Sequence, residues 1–158
     1  MDDVQLRPAT QLDDDFLGTL YAASRAEEIA ASGWSDEVAH LFLTGQRAAQ
    51  ETHYRATYPS ARHDIIVMGN RPIGRLWVDR GHQRILLIDI LLLADWRGRG
   101  IGRGLITGLI TEACAQGSFV ELSVSTDNIA AQRLYARLGF GNVGSSPTHH
   151  HLRCTPNL

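Results

Sequence analysis

Four glycines, at every second position from residue 98, and three arginines lie in one stretch of this chain, Asp95–Gly104, which has the sequence DWRGRGIGRG. Glycine at every second position weakens both strands and helices. The stretch lies between an almost wholly apolar run, residues 85–93, and a segment with helical spacing, residues 105–115. A strand that leads through a glycine-rich turn into a helix is suited to phosphate, because the first N–H groups of a helix have no internal partners and carry partial positive charge. The pattern therefore predicts an anion site, to which three arginines could add charge-assisted hydrogen bonds: Arg97, Arg99 and Arg103.

The dinucleotide-binding pattern G-x-G-x-x-G is incomplete in this stretch. Counted from Gly98, the third glycine position holds Arg103, and counted from Gly100 it holds Leu105. A Rossmann fold also places that pattern after the first strand of a doubly wound sheet, whereas the three segments before this stretch look like antiparallel strands. The spacing therefore argues against a nucleotide-binding oxidoreductase.

Composition excludes several other classes of protein. The chain has 158 residues and a net charge of -2, and arginine supplies all 15 of its basic residues. Without lysine there is no Walker phosphate loop and no Schiff-base chemistry, and without a basic excess we expect no general nucleic-acid binding. No apolar run is long enough to cross a membrane, and the N-terminus is acidic where a signal peptide is basic. We therefore expect one cytoplasmic domain, residues 1–158, that binds no membrane.

The hydrophobic pattern changes period along the chain and predicts a mixed α/β fold. Two N-terminal helices follow a first strand, the second with Ser35 as its N-cap and extending to about Tyr54. Three β-rich segments then predict antiparallel strands, and the third must be central because both of its faces are apolar. The expected strands cover residues 3–9, 64–68, 72–78, 84–93, 119–124 and 148–154, and the last two helices cover 100–116 and 127–138.

Residues 97–102 (RGRGIG) and residues 128–140 (NIAAQRLYARLGF) form two motifs that together resemble those of the GCN5-related N-acetyltransferases, the GNAT family. Residues 97–102, RGRGIG, are similar to the family's acetyl-coenzyme A motif R/Q-x-x-G-x-G/A. Residues 128–140, NIAAQRLYARLGF, resemble its second signature, N-x-x-A-x-x-L-Y-x-x-x-G-F. The departures are Ala94, where the family often has proline, and Trp96, where it often has tyrosine. The resemblance is close from residue 89 to residue 140, and over residues 1–80 it extends only to the order of elements.

The resemblance implies an α/β (α+β) fold with a mixed, mostly antiparallel central sheet, splayed between its fourth and fifth strands and flanked by about four helices. Acetyl-CoA would lie with its pantetheine arm along the fourth strand and its pyrophosphate on the glycine-rich turn. No metal is implied. The residues that the resemblance assigns to the cofactor are Leu91, Leu93, Arg97, Gly98, Arg99, Gly100, Ile101, Gly102, Arg103, Gly104 and Asn128.

The family's chemistry is direct attack of an amine on the acetyl thioester in a ternary complex, which needs a base for the amine and an acid for the thiolate. Tyr135 occupies the position of the family's acid, and Asn128 and Ala131 lie on the same helix face. Asn128 could instead cap that helix. Asp89 lies inside an apolar strand, where an unpaired carboxylate costs several kcal/mol to bury. Asp89 is therefore either a base that acts through water or a structural carboxylate.

The acceptor is a small-molecule or peptide amine that the sequence does not identify. Glu27 and Glu28, in helices that border the acceptor site in this family, would favour a cationic amine, but they are equally the exposed face of an amphipathic helix. Three consecutive histidines, residues 149–151, predict a polar terminal strand, since neighbours in a strand face opposite sides and cannot share one metal ion without distortion. A non-catalytic acyl-CoA-binding or regulatory module is the alternative function, and a homodimer, which many members form, stays open.

Overall fold

The computed structural model describes residues 3–156, and within them it contains seven strands and five α-helices. The strands are β1 (Val4–Pro8), β2 (Arg62–Met68), β3 (Arg71–Arg80), β4 (Arg84–Leu92), β5 (Phe119–Ser125), β6 (Gly141–Ser145) and β7 (His149–Cys154). The helices are α1 (Asp14–Ser24), α2 (Ala26–Ser32), α3 (Asp36–Thr57), α4 (Ile101–Gln116) and α5 (Ile129–Arg137). Short 3₁₀ turns precede α1 at Gln11–Asp13 and follow β4 at Ala94–Trp96.

All seven strands belong to one sheet, in the order β1-β2-β3-β4-β5-β7-β6. β1 is antiparallel to β2, and β7 is antiparallel to both β5 and β6. β4 and β5 are parallel, and their register joins Arg84–Leu87 to Phe119–Leu122. The predicted fold class, a mixed and mostly antiparallel sheet with a central apolar strand, is confirmed, with five helices where about four were expected.

Local signals in the sequence account for several boundaries. The turn between β2 and β3 is Gly69-Asn70, with φ of 51° and 67°, and glycine and asparagine adopt this left-handed conformation most readily. Ser35 caps α3 as predicted, its hydroxyl accepting a hydrogen bond from the Val38 N–H at 3.3 Å. The helix then continues three residues beyond the predicted end, to Thr57.

Two expectations about the elements were wrong. The first of the two predicted N-terminal helices, expected to continue to about Ser32-Gly33, is two helices, because the chain leaves helical geometry at Arg25 (φ −111°, ψ 9°) and α2 begins one residue later. None of the residues of α2 is buried, so α2 has no packed face of its own. The C-terminal tail forms a hairpin of β6 and β7, although only the second of these strands was expected.

Contacts within the chain divide it into two units, and the prediction of a single domain stays a prediction. The first unit comprises residues 3–77 and 89–97. Leu17 and Leu20 of α1 pack there with Ile65 of β2, and Leu91 and Leu93 lie against this cluster. α3 belongs to the same unit but buries only Ala39 and Glu51 among its 22 residues.

The second unit comprises residues 78–88 and 98–156. α4 packs on β5 in this unit. Its buried apolar side chains are Ile101, Ile106, Leu109 and Ala113 on α4 and Val120, Leu122 and Val124 on β5. No helix within residues 3–156 has the length and apolar character that a membrane crossing requires.

Candidate functional site

Glycine shapes the start of α4, in the second unit. Gly98 and Gly100 have φ of 72° and 83°, in the region that side chains rarely adopt. Gly100 is the N-cap, no side chain caps the helix, and its first turn contains no acidic residue. A Cβ built on Gly98, Gly100 or Gly104 would meet no atom within 4 Å. The helix N-terminus is therefore open, uncapped and positive in potential, as an anion site requires.

The three arginines of the motif are all exposed. Arg103 lies in the first turn of α4, where its charge adds to that of the helix terminus. In the first unit, the Arg97 Nε donates to the carbonyl oxygen of Leu92 at 3.0 Å, which ties this side chain to the end of β4. These positions are compatible with contacts to phosphate oxygens, and that role stays a prediction.

The end of β4 presents the two leucines that were expected to bind the pantetheine amides. The Leu93 N–H already donates to the Ile73 carbonyl oxygen at 2.8 Å, and the Leu93 carbonyl oxygen accepts from the Trp96 N–H at 2.9 Å. Of the two backbone groups of Leu93, only the carbonyl oxygen, which has two lone pairs, can accept a further hydrogen bond. Leu91 and Leu93 are half-buried, and their cofactor role stays a prediction.

Gly74 of β3 fixes how closely β3 and β4 approach. A Cβ at this position would overlap the Leu91 carbonyl oxygen and would lie 2.9 Å from Leu92 Cδ2. Any larger residue would therefore displace β4 at Leu91. Sequence reasoning missed this position, although a single glycine within an apolar strand is a signal of close backbone approach.

Asp89 of β4 is paired with Arg75, a residue of β3 that sequence reasoning also missed. The Arg75 Nη2 donates to Asp89 Oδ2 at 2.5 Å and to Gln50 Oε1 of α3 at 2.7 Å. Arg75 is fully buried, and the Asp89 side chain is 18% exposed. The partner that a buried carboxylate requires is therefore present. The signal that could have linked them is that Arg75 and Asp89 are the charged residues flanked by apolar neighbours in the interiors of their two strands, away from the charges at the strand ends.

The Arg75–Asp89 pair is linked to further charged residues on α3 and α1. Arg75 Nη1 lies 3.8 Å from Glu51 Oε1, an ion-pair distance that is too long for a hydrogen bond. Glu51 is also bonded to Arg47 at 3.1 Å, and Arg47 is bonded to Asp14 of α1 at 2.8 Å. Opposite charges thus alternate from the surface of α1 to the buried centre of β3.

Two aromatic residues beside this group have shifted pKa values. Burial, and then the charge of Asp89, raise the pKa of Tyr54 to about 12, so its phenol stays protonated. Burial, and then the charge of Arg75, lower the pKa of His63 to about 4, so its imidazole is neutral at pH 7. The His63 ring stacks on Trp77 with centroids 4.0 Å apart, and the Tyr54 ring meets Trp77 edge-on at 5.1 Å.

α5, in the second unit, positions Asn128 and Tyr135, the two residues of the second motif to which roles were assigned. Tyr135 is 8% exposed and packs against Phe140, with ring centroids 5.6 Å apart. Asn128 is the N-cap of α5, and its Oδ1 accepts from the Ala131 N–H at 3.1 Å. The capping interpretation of Asn128 is confirmed, and its contact with a cofactor stays a prediction.

The three histidines lie on β7, as the sequence predicted. The Nδ1 of His151 contacts Ser123 Oγ at 2.7 Å, and the Nδ1 of His150 contacts Ser145 Oγ at 2.9 Å. One nitrogen of each of these two rings thus contacts a neighbouring hydroxyl group. In the part of the chain that the structure describes, no three histidine, cysteine, aspartate or glutamate side chains are grouped to hold a metal ion.

Comparison with known families agrees with this fold and these motifs. A family model described as the acetyltransferase (GNAT) family matches residues 17–140. The chain therefore belongs to the GNAT family of acetyltransferases. The resemblance drawn from residues 97–102 and 128–140 is confirmed.

Individual relatives are more distant. The N-alpha-acetyltransferase RimI of Mycobacterium tuberculosis is 49% identical over 49 residues, which are 31% of this chain and 30% of RimI. The PaiA N-acetyltransferase of Thermoplasma acidophilum, crystallised in complex with coenzyme A, has a TM-score of 0.70, 14% identity and coverage of 98% of this chain and 99% of its own. A GNAT acetyltransferase of Elizabethkingia anophelis with acetyl-CoA bound has a TM-score of 0.61, 15% identity and coverage of 99% and 100%. These two structures establish the fold.

Proposed function

We propose that the protein transfers the acetyl group of acetyl-CoA to a primary amine of a small-molecule or peptide acceptor. The observation that carries the proposal is the N-terminus of α4, which has no capping side chain and no acidic residue in its first turn. A pyrophosphate gains there from both the unpaired N–H groups and the helix dipole. Membership of an acetyltransferase family supports the same assignment.

Each cofactor group is assigned to residues whose chemistry suits it. The pyrophosphate is assigned to the backbone of residues 98–104, with Arg97, Arg99 and Arg103 as donors to phosphate oxygens. The pantetheine amides are assigned to Leu91 and to the carbonyl oxygen of Leu93. Arg97, Arg99 and Arg103 are all exposed, which supports a diphosphate that faces solvent.

In the proposed reaction the amine nitrogen forms a bond to the thioester carbonyl carbon and the carbon–sulfur bond breaks in the same ternary complex. Asp89 takes the proton that the amine loses, directly or through a water molecule, and Tyr135 gives a proton to the departing sulfur. Solvent then returns a proton to Tyr135 and removes one from Asp89. Atoms and charge balance without a metal or a covalent enzyme intermediate.

A thiol-release assay with acetyl-CoA and a panel of amines tests the proposal. Tyr135→Phe should lower kcat by about 100-fold or more, because the acid is lost, while coenzyme A affinity measured by calorimetry stays within about twofold. Tyr58→Phe is the matched control, since Tyr58 is a half-buried tyrosine outside both motifs, and it should keep wild-type turnover. If the wild-type protein binds coenzyme A but acetylates no amine, the chain is an acyl-CoA-binding module instead.

A further inference from the structure

Arg75 carries a positive charge in the least accessible part of the first unit. The residue is 0% exposed and lies in the middle of β3, where its neighbours Leu76 and Trp77 are each 2% exposed. A guanidinium cannot lose its proton at any ordinary pH, so the charge persists at this depth. Its removal from water must be offset by partners within the protein.

The partners of Arg75 offset this cost only in part. Nη2 makes both of the hydrogen bonds of the guanidinium, to Asp89 and Gln50. Nε and Nη1 are buried, and neither has a hydrogen-bond partner within residues 3–156. Buried ion pairs with unsatisfied donors are seldom more stable than apolar residues of the same size. Stability alone therefore does not explain an arginine at this position.

Arg75 is hydrogen-bonded to Asp89 and to Gln50, and the proposed reaction uses only Asp89. Its Oδ2 is held by Arg75, whereas its Oδ1 accepts no hydrogen bond from residues 3–156, and the side chain is 18% exposed. One oxygen is thus fixed and the other is left for an external proton donor. Gln50 and Glu51, on α3, hold Arg75 in turn.

We propose that Arg75 is a positioning residue that fixes the orientation of the Asp89 carboxylate for proton transfer from the acceptor amine. This inference rests on the proposed function. Arg75 does not touch the substrate in this proposal and acts only through Asp89. The proposal reconciles the two interpretations of Asp89 that the sequence left open, because a carboxylate with a structural partner also keeps one oxygen for chemistry.

A double-mutant cycle in thiol release and urea unfolding tests the inference, with wild type, Arg75→Met, Asp89→Asn and the double variant. Arg75→Met should lower kcat by about 100-fold, as misplacement of a catalytic group does, and leave the KM for acetyl-CoA within about twofold. Each single variant should unfold at lower urea concentration than wild type, because each leaves one charge or dipole without its partner. The double variant should recover most of that stability while its kcat stays within about threefold of Asp89→Asn.

Arg75→Lys and Arg47→Met complete the design. Arg75→Lys keeps the charge but not the two-partner geometry, so it should recover stability and only part of kcat. Arg47→Met removes two other ion pairs of α3, to Asp14 and to Glu51, and should lower stability with kcat within about twofold of wild type.

Three outcomes would overturn the inference. In the first, kcat recovers together with stability in the double variant, which assigns Arg75 a purely structural role. In the second, the two single effects on kcat multiply, which means that Arg75 acts independently of Asp89. In the third, Arg75→Met keeps wild-type kcat. Absence of acetyl transfer by the wild-type protein would instead refute the proposed function itself, and the inference with it.

Discussion

Replacement of Gly74 by alanine tests the close approach of β3 and β4. The added methyl carbon would overlap the carbonyl oxygen of Leu91 and would lie 2.9 Å from Leu92 Cδ2 and 3.2 Å from Ile66 Cδ1. The side-chain atoms can turn away, but a backbone oxygen can move only with its strand. β4 must therefore shift at Leu91.

The expected change in the free energy of unfolding of Gly74→Ala is the difference of two opposing effects. Overpacking of a buried site by one methyl group costs about 1–3 kcal/mol, and a backbone obstacle places Gly74→Ala at about 2–3 kcal/mol. Loss of glycine's freedom in the unfolded chain returns about 0.4–1 kcal/mol. The free energy of unfolding should therefore fall by about 1–2.5 kcal/mol.

Urea unfolding followed by circular dichroism measures this change, and Gly108→Ala is the matched control. Gly108 lies in the interior of α4 with no atom within 4 Å of a built Cβ, so alanine should raise the free energy of unfolding there by about 0.5–1 kcal/mol. Because Leu91 of β4 is assigned to the pantetheine arm, Gly74→Ala should also weaken coenzyme A binding by about tenfold, a loss of about 1.4 kcal/mol. Equal stability of Gly74→Ala and wild type would refute the argument about the strand contact.

Three further predictions concern the pKa of His63, the N-cap of α5 and the ion pair between exposed Arg7 and buried Asp13. The pKa of His63, about 4 in the fold because of burial and then the Arg75 charge, lies below its ordinary value of 6.5. As the pH falls, the imidazole is therefore protonated in the unfolded chain before it is protonated in the fold, so the contribution of His63 to the free energy of unfolding is full above pH 6.5 and decreases toward pH 4. His63→Phe should make the free energy of unfolding, measured by urea titration at several pH values, depend less on pH over this range. An unchanged dependence would contradict this prediction. Asn128→Ala should lower the free energy of unfolding by about 1 kcal/mol through loss of the α5 cap, and an equal coenzyme A affinity in calorimetry would limit Asn128 to that role. Asp13 accepts hydrogen bonds from Arg7, which lower the pKa of Asp13, so the ion pair should stabilise the fold above the ordinary pKa of 3.8 and lose this effect as the pH falls further. Asp13→Asn should remove this loss of the free energy of unfolding at acid pH. A variant that keeps the full loss would count against the prediction.

Local chemistry made much of the fold predictable from the sequence. Ser35 before a helical pattern, Gly69-Asn70 between two β-rich runs and a strand apolar on both faces each have a short-range physical cause. The family motifs are likewise contiguous, because a phosphate-binding turn needs neighbouring N–H groups. These features required no knowledge of which strand lies beside which.

The features that could not be predicted depend on long-range contacts or on weak local preferences. Arg75 and Asp89 are 14 residues apart on different strands, and their pairing follows from strand register alone. Most residues of β6 (Gly141–Ser145) are exposed, so no apolar period marks this strand, and the break at Arg25 precedes a helix that has no buried residue. Opposite charges in the apolar interiors of two strands indicate a pair, but the sequence does not say which oxygen stays unbonded.

The sparse burial of α3 implies that ionic strength acts unevenly along this helix. Where Arg47 contacts Asp14, the aspartate side chain is 70% exposed, so added salt should screen that attachment within a Debye length of about 8–10 Å. At the buried Arg75, whose side chain is 1% exposed, dissolved ions have no access. High salt should therefore weaken the Arg47–Asp14 contact between α3 and α1 and leave the Arg75–Asp89 pair intact. The attachment of α3 to α1 should thus depend on salt, whereas the geometry of Asp89 should not.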